Sequence, residues 1–376
     1  MPGSSLARSQ PNPAGGPGGA DSPVPPAPAS GKRWWWALLT AAAILLALWL
    51  LYERWGRNFR WDVFAASFQR LDWRWLGVSM VLGFLTYYGR ALRWAVMLKP
   101  ICPHPSIWNL FSATAIGFTA VVLLGRPGEF VRPYLISLKE RVPLSSQLAA
   151  WLLERICDLL AVLLVFGLAL TQVHASRASV GPGLGWVLQT GGYFVGITAA
   201  VCLTVLILFR HFSEHMRQRL LGALSFLPPR HFERAEQMVT AFLGGMAATR
   251  SHGSVLLLAF YTLLEWVLIA FCYFALFHAY SGLAAFRLED ILIFVGFVAF
   301  GNIVQIPAVG GGFQLVTVIV LTELFQVPPE LAASLAITAW IITFVVIVPL
   351  GLFLSFREGV NWKKLRDLGK EVRTRS

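Results

Sequence analysis

Apolar residues occur along this chain in long blocks that contain few charged residues, rather than in alternation with polar residues. An α-helix rises about 1.5 Å per residue, so a block of about 20 residues can cross about 30 Å of hydrocarbon. We predict membrane-spanning helices at residues 34–52, 75–98, 145–171, 184–209, 254–278 and 330–356. The pattern therefore predicts an all-α, polytopic transmembrane helical bundle.

Two further apolar blocks, 106–138 and 290–325, are interrupted by glycine and proline. Residues 126–133 of the first read RPGEFVRP, and residues 307–312 of the second read PAVGGG. A broken helix leaves backbone groups unpaired, and these are tolerated at membrane depth only inside protein or in a wet cavity. We predict that each block forms a re-entrant, broken-helix hairpin that enters and leaves on one side of the membrane.

The two interrupted blocks also resemble each other in sequence. Gly128-Glu129-Phe130 can be aligned with Gly311-Gly312-Phe313, and Val142-Pro143 with Val327-Pro328. Because the predicted topology inserts the two hairpins from opposite sides, the two units would form an inverted repeat. Paired breaks in the two halves of a chain indicate the binding site of a transporter. The alternative is that any two apolar segments containing glycine and proline look alike.

Composition and charge delimit the membrane domain. The chain of 376 residues is 56% hydrophobic and 13% charged, whereas soluble domains carry roughly 25% charged residues. We predict a disordered tail rich in proline and glycine at residues 1–31, a membrane domain at 32–358 and a basic cytoplasmic tail at 359–376. Residues 58–74 mix apolar and charged positions at helical spacing, which predicts a short helix lying on the membrane surface.

The chain has a net charge of +12, and its basic residues cluster at the ends of the apolar blocks. Basic residues at these places face cytoplasm and anionic headgroups, which predicts a multi-pass protein of an inner (plasma) membrane with the segment 210–252 in the cytoplasm. Five arginines in the loop 53–74 oppose this topology, because the loop falls outside in it. A basic stripe with interleaved aromatic residues is lacking, so nucleic-acid binding is not expected.

Charged residues flank the first break and continue into the helix after it. Arg126 and Arg132, beside Gly128, could hold a phosphate through paired N–H donors, and Glu129 could fix one of them. The alternative is a cytoplasmic turn whose charges mark the interface. Isolated charges within a membrane are costly, so such residues are candidates for function or for an ion-pair network. Glu154, Arg155 and Asp158, on the predicted span after the break, are therefore further candidates.

Glu265 is a further charge near the middle of an apolar block, with Arg90 and Arg93 as candidate partners. The second break contains no charge, and its glycines would allow close approach of the backbone to a ligand. Its candidate substrate-binding residues are Asn302, Gln305, Gly310, Gly311, Gly312 and Gln314. Motifs for nucleotide binding, metal binding or hydrolysis are lacking, so we expect no catalytic residue, metal or cofactor.

Four segments carry a resemblance to a known family: RALRW at 90–94, GRPGEFVRPYLIS at 125–137, LLERICDLL at 152–160 and IPAVGGGFQ at 306–314. In their order and spacing the chain resembles the lysylphosphatidylglycerol synthase transmembrane-region family, also called flippase-like or uncharacterised protein family 0104. The resemblance implies a helical fold with re-entrant elements and a lipid flippase role, as in members that move aminoacylated phosphatidylglycerol.

The functional positions that this resemblance implies are Arg126, Glu129, Arg132, Glu154, Arg155, Asp158, Pro307 and Gly310–Gly312. Two features depart from the family pattern. Gln314 stands where the family often has glutamate, and the soluble aminoacyl-transferase domain is missing from this sequence. Synthesis of lysylphosphatidylglycerol is therefore not expected.

Sequence and resemblance together favour a flippase-like transporter that moves a lipid or lipid-linked anionic substrate across the cytoplasmic membrane. Its partner is then a membrane lipid or lipid-linked molecule, and a homo-oligomer is compatible with the pattern. Two alternatives stay open. One is an intramembrane transferase that uses a lipid-phosphate-linked donor, with Glu154 or Asp158 as base. The other is a non-catalytic scaffold subunit whose charges are all paired and buried.

Overall fold

The computed structural model describes residues 59–175, 196–205, 207, 222, 229–246, 251–301, 305–306 and 310–360. The predicted disordered tail and the first predicted span lie outside these residues. So do most of the predicted span at 184–209 and all but the first two residues of the basic tail.

The regular secondary structure of the described chain is helical apart from one two-residue ladder and an isolated bridge between Leu71 and Tyr280. Its elements are α1 (Trp61–Gln69), α2 (Trp73–Leu98), α3 (Ile107–Leu124), a 3₁₀ helix (Arg126–Phe130), α4 (Val131–Lys139), α5 (Leu144–Ala175), α6 (Pro229–Gly245), α7 (His252–Ala279), α8 (Leu288–Gly301), β1 (Gln305–Ile306), β2 (Gly310–Gly311), α9 (Gly312–Ile319), a π turn (Val320–Leu324), α10 (Pro329–Trp340), a second π turn (Ile341–Val345) and α11 (Val348–Arg357).

Three helical stretches within the described residues are long and apolar enough to cross a membrane. Two of them, His252–Ala279 and Pro329–Arg357, match predicted spans. The third is α3, which belongs to the first interrupted block and has 18 residues, or about 27 Å. The first break therefore separates a long leg from a short return leg. Helices α2 and α5 also lie where spans were predicted, but both contain the charged residues discussed below.

The first interrupted block, α3 to α4, folds back on itself; we call it hairpin 1. Glu140, just after α4, accepts a hydrogen bond from Asn109 Nδ2 near the start of α3 at 2.8 Å. Lys139 Nζ pairs with Glu358 Oε2 at 2.6 Å, and Glu358 follows α11. The open end of hairpin 1 therefore lies beside the end of α11, at what we call the Glu358 end of the bundle.

Two glycines allow the legs of hairpin 1 to touch. A Cβ atom added at Gly117 would lie 2.6 Å from the Cβ of Arg132, and one at Gly128 would lie 2.4 Å from the backbone of Ala120. Neither distance is compatible with a larger side chain. Gly125 ends α3 with a φ of 72°, a conformation that glycine adopts without the steric cost of a side chain.

The second interrupted block, α8 to the first π turn, also folds back; we call it hairpin 2. Its antiparallel ladder pairs Gln305 with Gly311 and makes a tight reversal. Phe286, before α8, packs against Phe325, after the π turn, with ring centroids 5.2 Å apart. Phe286 also packs against Phe277 near the end of α7. The open end of hairpin 2 therefore lies beside the end of α7.

Helix α2 separates the two open ends. Asp72, its N-cap, donates a backbone hydrogen bond to Ala279 at 2.9 Å, so α2 begins where α7 ends. It then runs for 26 residues, or about 39 Å, and a short connection leads to the start of hairpin 1. The two hairpins consequently open at opposite ends of the bundle.

A non-glycine residue with positive φ follows each hairpin. Arg141 and Gln326 both have a φ of 54°, and they are the non-glycine residues with positive φ in the described chain. Each precedes one of the aligned Val-Pro pairs, in which Val142 and Val327 are buried. This agreement supports the alignment of the two units. The inverted repeat itself, and insertion of the hairpins into a membrane, stay predictions.

Helix α1 is the short helix expected within residues 58–74. Rings of Phe59, Trp61, Phe64 and Phe68 pack edge to face along it, and Trp61 is 72% exposed. The backbone N–H of Arg60 donates to Glu330 at the start of α10. This hydrogen bond fixes the start of α1 to the bundle, whereas its position on a membrane surface stays a prediction.

We expect Gly128→Ala to destabilise the protein by about 1–3 kcal/mol, because the new methyl group overlaps the backbone of α3. The measurement is the midpoint of thermal unfolding in detergent. Gly77→Ala in α2 is the matched control, since nothing lies within 4 Å of a Cβ atom at Gly77. Equal midpoints for the two variants would contradict the contact between the legs.

The opposite openings of the hairpins predict opposite labelling. Arg141 and Glu289 are exposed residues at the open ends of hairpins 1 and 2. In a variant without native cysteines, Arg141→Cys should react with a membrane-impermeant thiol reagent from one side and Glu289→Cys from the other. Reaction of both positions from the same side would exclude the inverted arrangement.

Candidate functional site

Seven charged side chains from four helices meet in the interior of the bundle. We call them the ion-pair cluster: Arg90, Arg93, Arg132, Glu154, Arg155, Asp158 and Glu265.

Arg93 lies at the centre of the cluster, and its side chain is 1% exposed. Its guanidinium contacts Glu154 at 2.8 Å, Asp158 at 2.6 Å and Glu265 at 3.2 Å. One arginine on α2 therefore joins three carboxylates on α5 and α7. A charge buried to this extent loses its hydration, and this loss costs several kcal/mol. Oppositely charged partners in good geometry are needed to offset that cost.

Glu265 is held by two arginines of α2. Arg90 Nη2 lies 2.6 Å from Glu265 Oε1, and Arg93 reaches the other carboxylate oxygen. Both partners were candidates from sequence, and both contacts are present. The Arg90 guanidinium also lies 5.0 Å from the ring centre of Phe118 in hairpin 1, which adds a cation–π contact.

Glu154 accepts contacts from several arginines at once. Arg132 donates a hydrogen bond to Glu154 Oε2, while Arg93 and Arg155 contact Oε1 at 2.8 and 3.1 Å. Arg155 also lies 3.3 Å from Asp158. Arg155 therefore pairs with both Glu154 and Asp158.

Arg132 is buried at 4% exposure, although it follows the break closely in sequence. Its guanidinium stacks on the face of Trp94 at 4.1 Å from the ring centre. Trp94 is itself fixed by a hydrogen bond from its indole N–H to Gln147 at 3.0 Å. Glu154 occupies one end of the guanidinium, but Arg132 Nη1 is buried without a hydrogen-bond partner.

A cavity of about 400 Å³ opens beside the cluster. The charged residues of its lining, which we call the charged wall, are Arg90, Arg126, Glu129, Arg132, Arg155 and Asp158. The apolar residues of its lining, which we call the apolar wall, include Leu159, Val162, Ile269, Val295, Val298, Phe313 and Phe344. The cavity is therefore amphipathic, and both hairpins contribute to it.

Arg126 and Glu129 form a second ion pair on the charged wall. Arg126 Nη1 lies 3.0 Å from Glu129 Oε1, and the two side chains are 51% and 17% exposed. Glu129 thus holds Arg126, whereas Arg132 is held by Glu154. Gly128 lies between Arg126 and Glu129 in sequence and packs against α3. It provides room for the turn and does not line the cavity.

The charges in and behind this wall do not balance. The ion-pair cluster and the Arg126–Glu129 pair together contain five guanidinium groups and four carboxylates. Among the described residues the site therefore has one excess positive charge. Glu154 and Glu265 do not line the cavity; they hold arginines that do.

The second break is only partly described. Asn302 and Pro307 lie outside the described residues, and Gln305 and Gly310 are described as backbone in the ladder. Gly311 is the N-cap of α9 with a φ of 91°. Gly311, Gly312 and Gln314 do not line the cavity, whereas Phe313, between Gly312 and Gln314 in sequence, does.

Sequence reasoning missed the neutral polar lining of the cavity. The Tyr87 hydroxyl donates to the backbone oxygen of Thr343 in the second π turn, and the Tyr273 hydroxyl lies 3.3 Å from Thr343 Oγ1. Trp266 also lines the cavity. These aromatic residues lie within apolar blocks, so their pattern does not distinguish them from ordinary core residues. A π turn is a frequent feature of functional sites, but it has no clear sequence signal.

Within the described chain, no three His, Cys, Asp or Glu side chains are grouped to hold a metal ion. A family model described as the lysylphosphatidylglycerol synthase TM region matches residues 34–351. No curated protein and no solved structure matches the chain.

We expect Arg93→Leu to destabilise the protein by about 3–5 kcal/mol, because three carboxylates lose their shared partner inside the bundle. Arg155→Leu should cost less, since its side chain is 38% exposed. Yield from the membrane and the thermal midpoint in detergent measure both effects. The reverse order of stability would show that Arg93 is not the centre of the cluster.

Proposed function

This chain belongs to the lysylphosphatidylglycerol synthase transmembrane-region family and is an integral membrane protein, and from that premise we propose that it transports a lipid or lipid-linked anionic substrate across the cytoplasmic membrane. The observation that carries the proposal is the free donor of Arg132. Its Nη1 group is buried, lacks a partner and belongs to a residue that lines the cavity. Buried donors of this kind are normally satisfied, so a bound acceptor is expected there.

An anion suits this position chemically. A guanidinium presents its N–H groups in a planar fork that matches the oxygens of a phosphate. Glu154 and Trp94 hold the fork in one orientation before any ligand arrives. The excess positive charge of the site favours a ligand that bears a negative charge.

The apolar wall suits the remainder of a lipid. Side chains such as Leu159, Val298 and Phe344 offer no polar group to a ligand. A volume of about 400 Å³ lies within the range of about 300–1,000 Å³ that is usual for ligand pockets. A headgroup at the arginines would therefore place hydrocarbon against this wall.

The positions of the hairpins support alternating access. Hairpin 1 contributes Phe118 and Arg132 to the cavity, and hairpin 2 contributes Val295 and Phe313. The hairpins open at opposite ends of the bundle, so a movement of one against the other would expose the cavity to one end at a time. Transporters built from inverted repeats use such a movement around a central site.

The two alternatives are less well supported. A transferase needs a carboxylate that is free to accept a proton, but Glu154 contacts several arginines and Asp158 pairs with Arg93 and Arg155. A scaffold would have its charges paired and its buried donors satisfied, whereas Arg132, although its charge is paired with Glu154, keeps one donor without a partner. The excess charge beside a cavity therefore favours ligand binding.

The test is translocation of fluorescent phosphatidylglycerol in vesicles that contain the purified protein. Arg132→Ala should reduce the rate about tenfold or more, because a charge-assisted hydrogen bond contributes about 1.5–3 kcal/mol. Arg132→Lys keeps the charge but loses the planar fork, so its rate should fall between those of the wild type and the alanine variant. Glu129→Ala should also slow transport, since it removes the ion pair between Glu129 and Arg126 on the charged wall.

Arg287→Ala is the matched control, because Arg287 is an exposed arginine at the start of α8. All variants are compared at equal incorporation and with their thermal midpoints measured. If the Arg132 variants and Glu129→Ala insert, melt normally and transport at the wild-type rate, the charged wall is not the headgroup site.

A further inference from the structure

The helical stretch Pro329–Arg357 joins two separately packed parts of the bundle. Its first part, α10, shares a buried apolar cluster with hairpin 2, to which Leu335 and Phe313 belong. Its last part, α11, shares a different buried cluster with hairpin 1, to which Leu354 and Ile116 belong. One continuous stretch of helix is therefore anchored to hairpin 2 at its start and to hairpin 1 at its end.

The two clusters divide at the second π turn. Ile342, within the turn, packs in the cluster of hairpin 2, whereas Ile347, just after it, packs in the cluster of hairpin 1. A Cβ atom added at Gly351 would lie 2.0 Å from Thr119 Oγ1, so α11 lies directly against α3. A movement of hairpin 1 would consequently carry α11 with it, while α10 would stay with hairpin 2.

The backbone of the stretch is weakened at the same place. The N–H group of Val346 donates to the oxygen of Ile341 at 2.9 Å, which is five residues back instead of the usual four. Pro349, in the first turn of α11, has no N–H group and leaves the carbonyl of Val345 without its helical donor. Proline and π turns are both causes of kinks in helices. The helix can therefore bend most easily where the clusters divide.

Two buried tyrosines hold the turn from neighbouring helices. The Tyr87 hydroxyl of α2 donates to the backbone oxygen of Thr343. The Tyr273 hydroxyl of α7 lies 3.3 Å from Thr343 Oγ1. By contrast, the indole N–H of Trp266, which also lines the cavity, is buried without a hydrogen-bond partner. Attachment to the π turn is thus a particular property of the two tyrosines.

We propose that the second π turn is the hinge on which hairpin 1 and α11 move against hairpin 2 and α10, and that Tyr87 and Tyr273 lock this hinge. This inference rests on the proposed function and adds to it the place at which the chain bends. Tyr87, Tyr273, Thr343 and Phe344 line the cavity. A ligand in the cavity would therefore contact the lock itself.

Hydrogen exchange of the full-length protein in detergent tests the hinge without any substitution. Backbone amides of residues 341–347 should exchange about tenfold or more faster than those in the middle of α10 and α11, because bending opens their hydrogen bonds first. Equal protection from residue 329 to residue 357 overturns the inference.

A distance measurement tests the lock. Spin labels are placed at Arg141→Cys and Glu289→Cys, exposed residues at the open ends of the two hairpins, in one background without native cysteines. Removing both hydroxyls with Tyr87→Phe and Tyr273→Phe should raise the ratio of the minor to the major distance about tenfold, as expected for two neutral hydrogen bonds. The measurement is double electron–electron resonance.

Pro349→Ala restores the missing backbone donor, so it should stiffen the helix and lower that ratio. Tyr88→Phe is the matched control and should leave the ratio unchanged. Tyr88 is 43% exposed and does not line the cavity, although it follows Tyr87 directly on α2.

The outcomes separate the hinge from the proposed function, because translocation of fluorescent phosphatidylglycerol is measured separately on the same proteins. An unchanged ratio in the double tyrosine variant overturns the inference. If that variant does not fold, Pro349→Ala and hydrogen exchange of the wild type decide, and an unchanged ratio or equal protection overturns it. The expected changes without any translocation support the hinge, and only the transport proposal then fails.

Discussion

The pairing of Arg93 with carboxylates of two other helices is the interaction on which the rest of the structure depends. Without Arg93, Glu154, Asp158 and Glu265 would be left near one another inside an apolar bundle. Buried charges are stable only when each has partners in good geometry, so this one residue fixes α5 and α7 relative to α2. Arg90, Arg132 and Arg155 then pair with the same carboxylates from other directions. Arg132 is the most important of these arginines for function. Its Nη2 group is held by Glu154, whereas its Nη1 group has no hydrogen-bond partner.

The hairpins and the cluster depend on each other. Arg132 reaches Glu154 because α3 and α4 approach closely at Gly117, where any side chain would collide with Arg132 itself. A larger residue at that position would separate the legs and withdraw the guanidinium from its partner. The backbone of hairpin 1 is thus as much a part of the site as the charges are. The broken helix is tolerated because the legs of hairpin 1 pack against α5 and α11. Ile136 of α4 and Leu354 of α11, for example, belong to the same buried cluster.

Much of this arrangement could be predicted from the sequence, for physical reasons. Glycine and proline within apolar blocks predict breaks, and the chain reverses direction at both. Charges such as Glu154 and Glu265 within spans must find partners, and they do. The partner of Arg132 was not predictable, since Arg132 is three residues from Glu129 but pairs with Glu154 on α5. Trp266 was missed because an indole in an apolar helix reveals its free N–H only when its surroundings are known. The length of α3 was also missed, since the pattern shows where an apolar block is broken but not how its legs divide.

The excess positive charge of the site has an electrical consequence. In the proposed transport cycle, an empty site that moved through the full membrane would exchange about 2.3 kcal/mol with the field for each 100 mV of membrane potential. A bound ligand with one negative charge cancels the excess among the described residues, and the loaded site then moves without electrical work. The voltage would act on the return of the empty carrier rather than on the passage of its cargo. Under the proposed function, the count of guanidinium groups and carboxylates among the described residues therefore predicts which half of the cycle the membrane potential can drive.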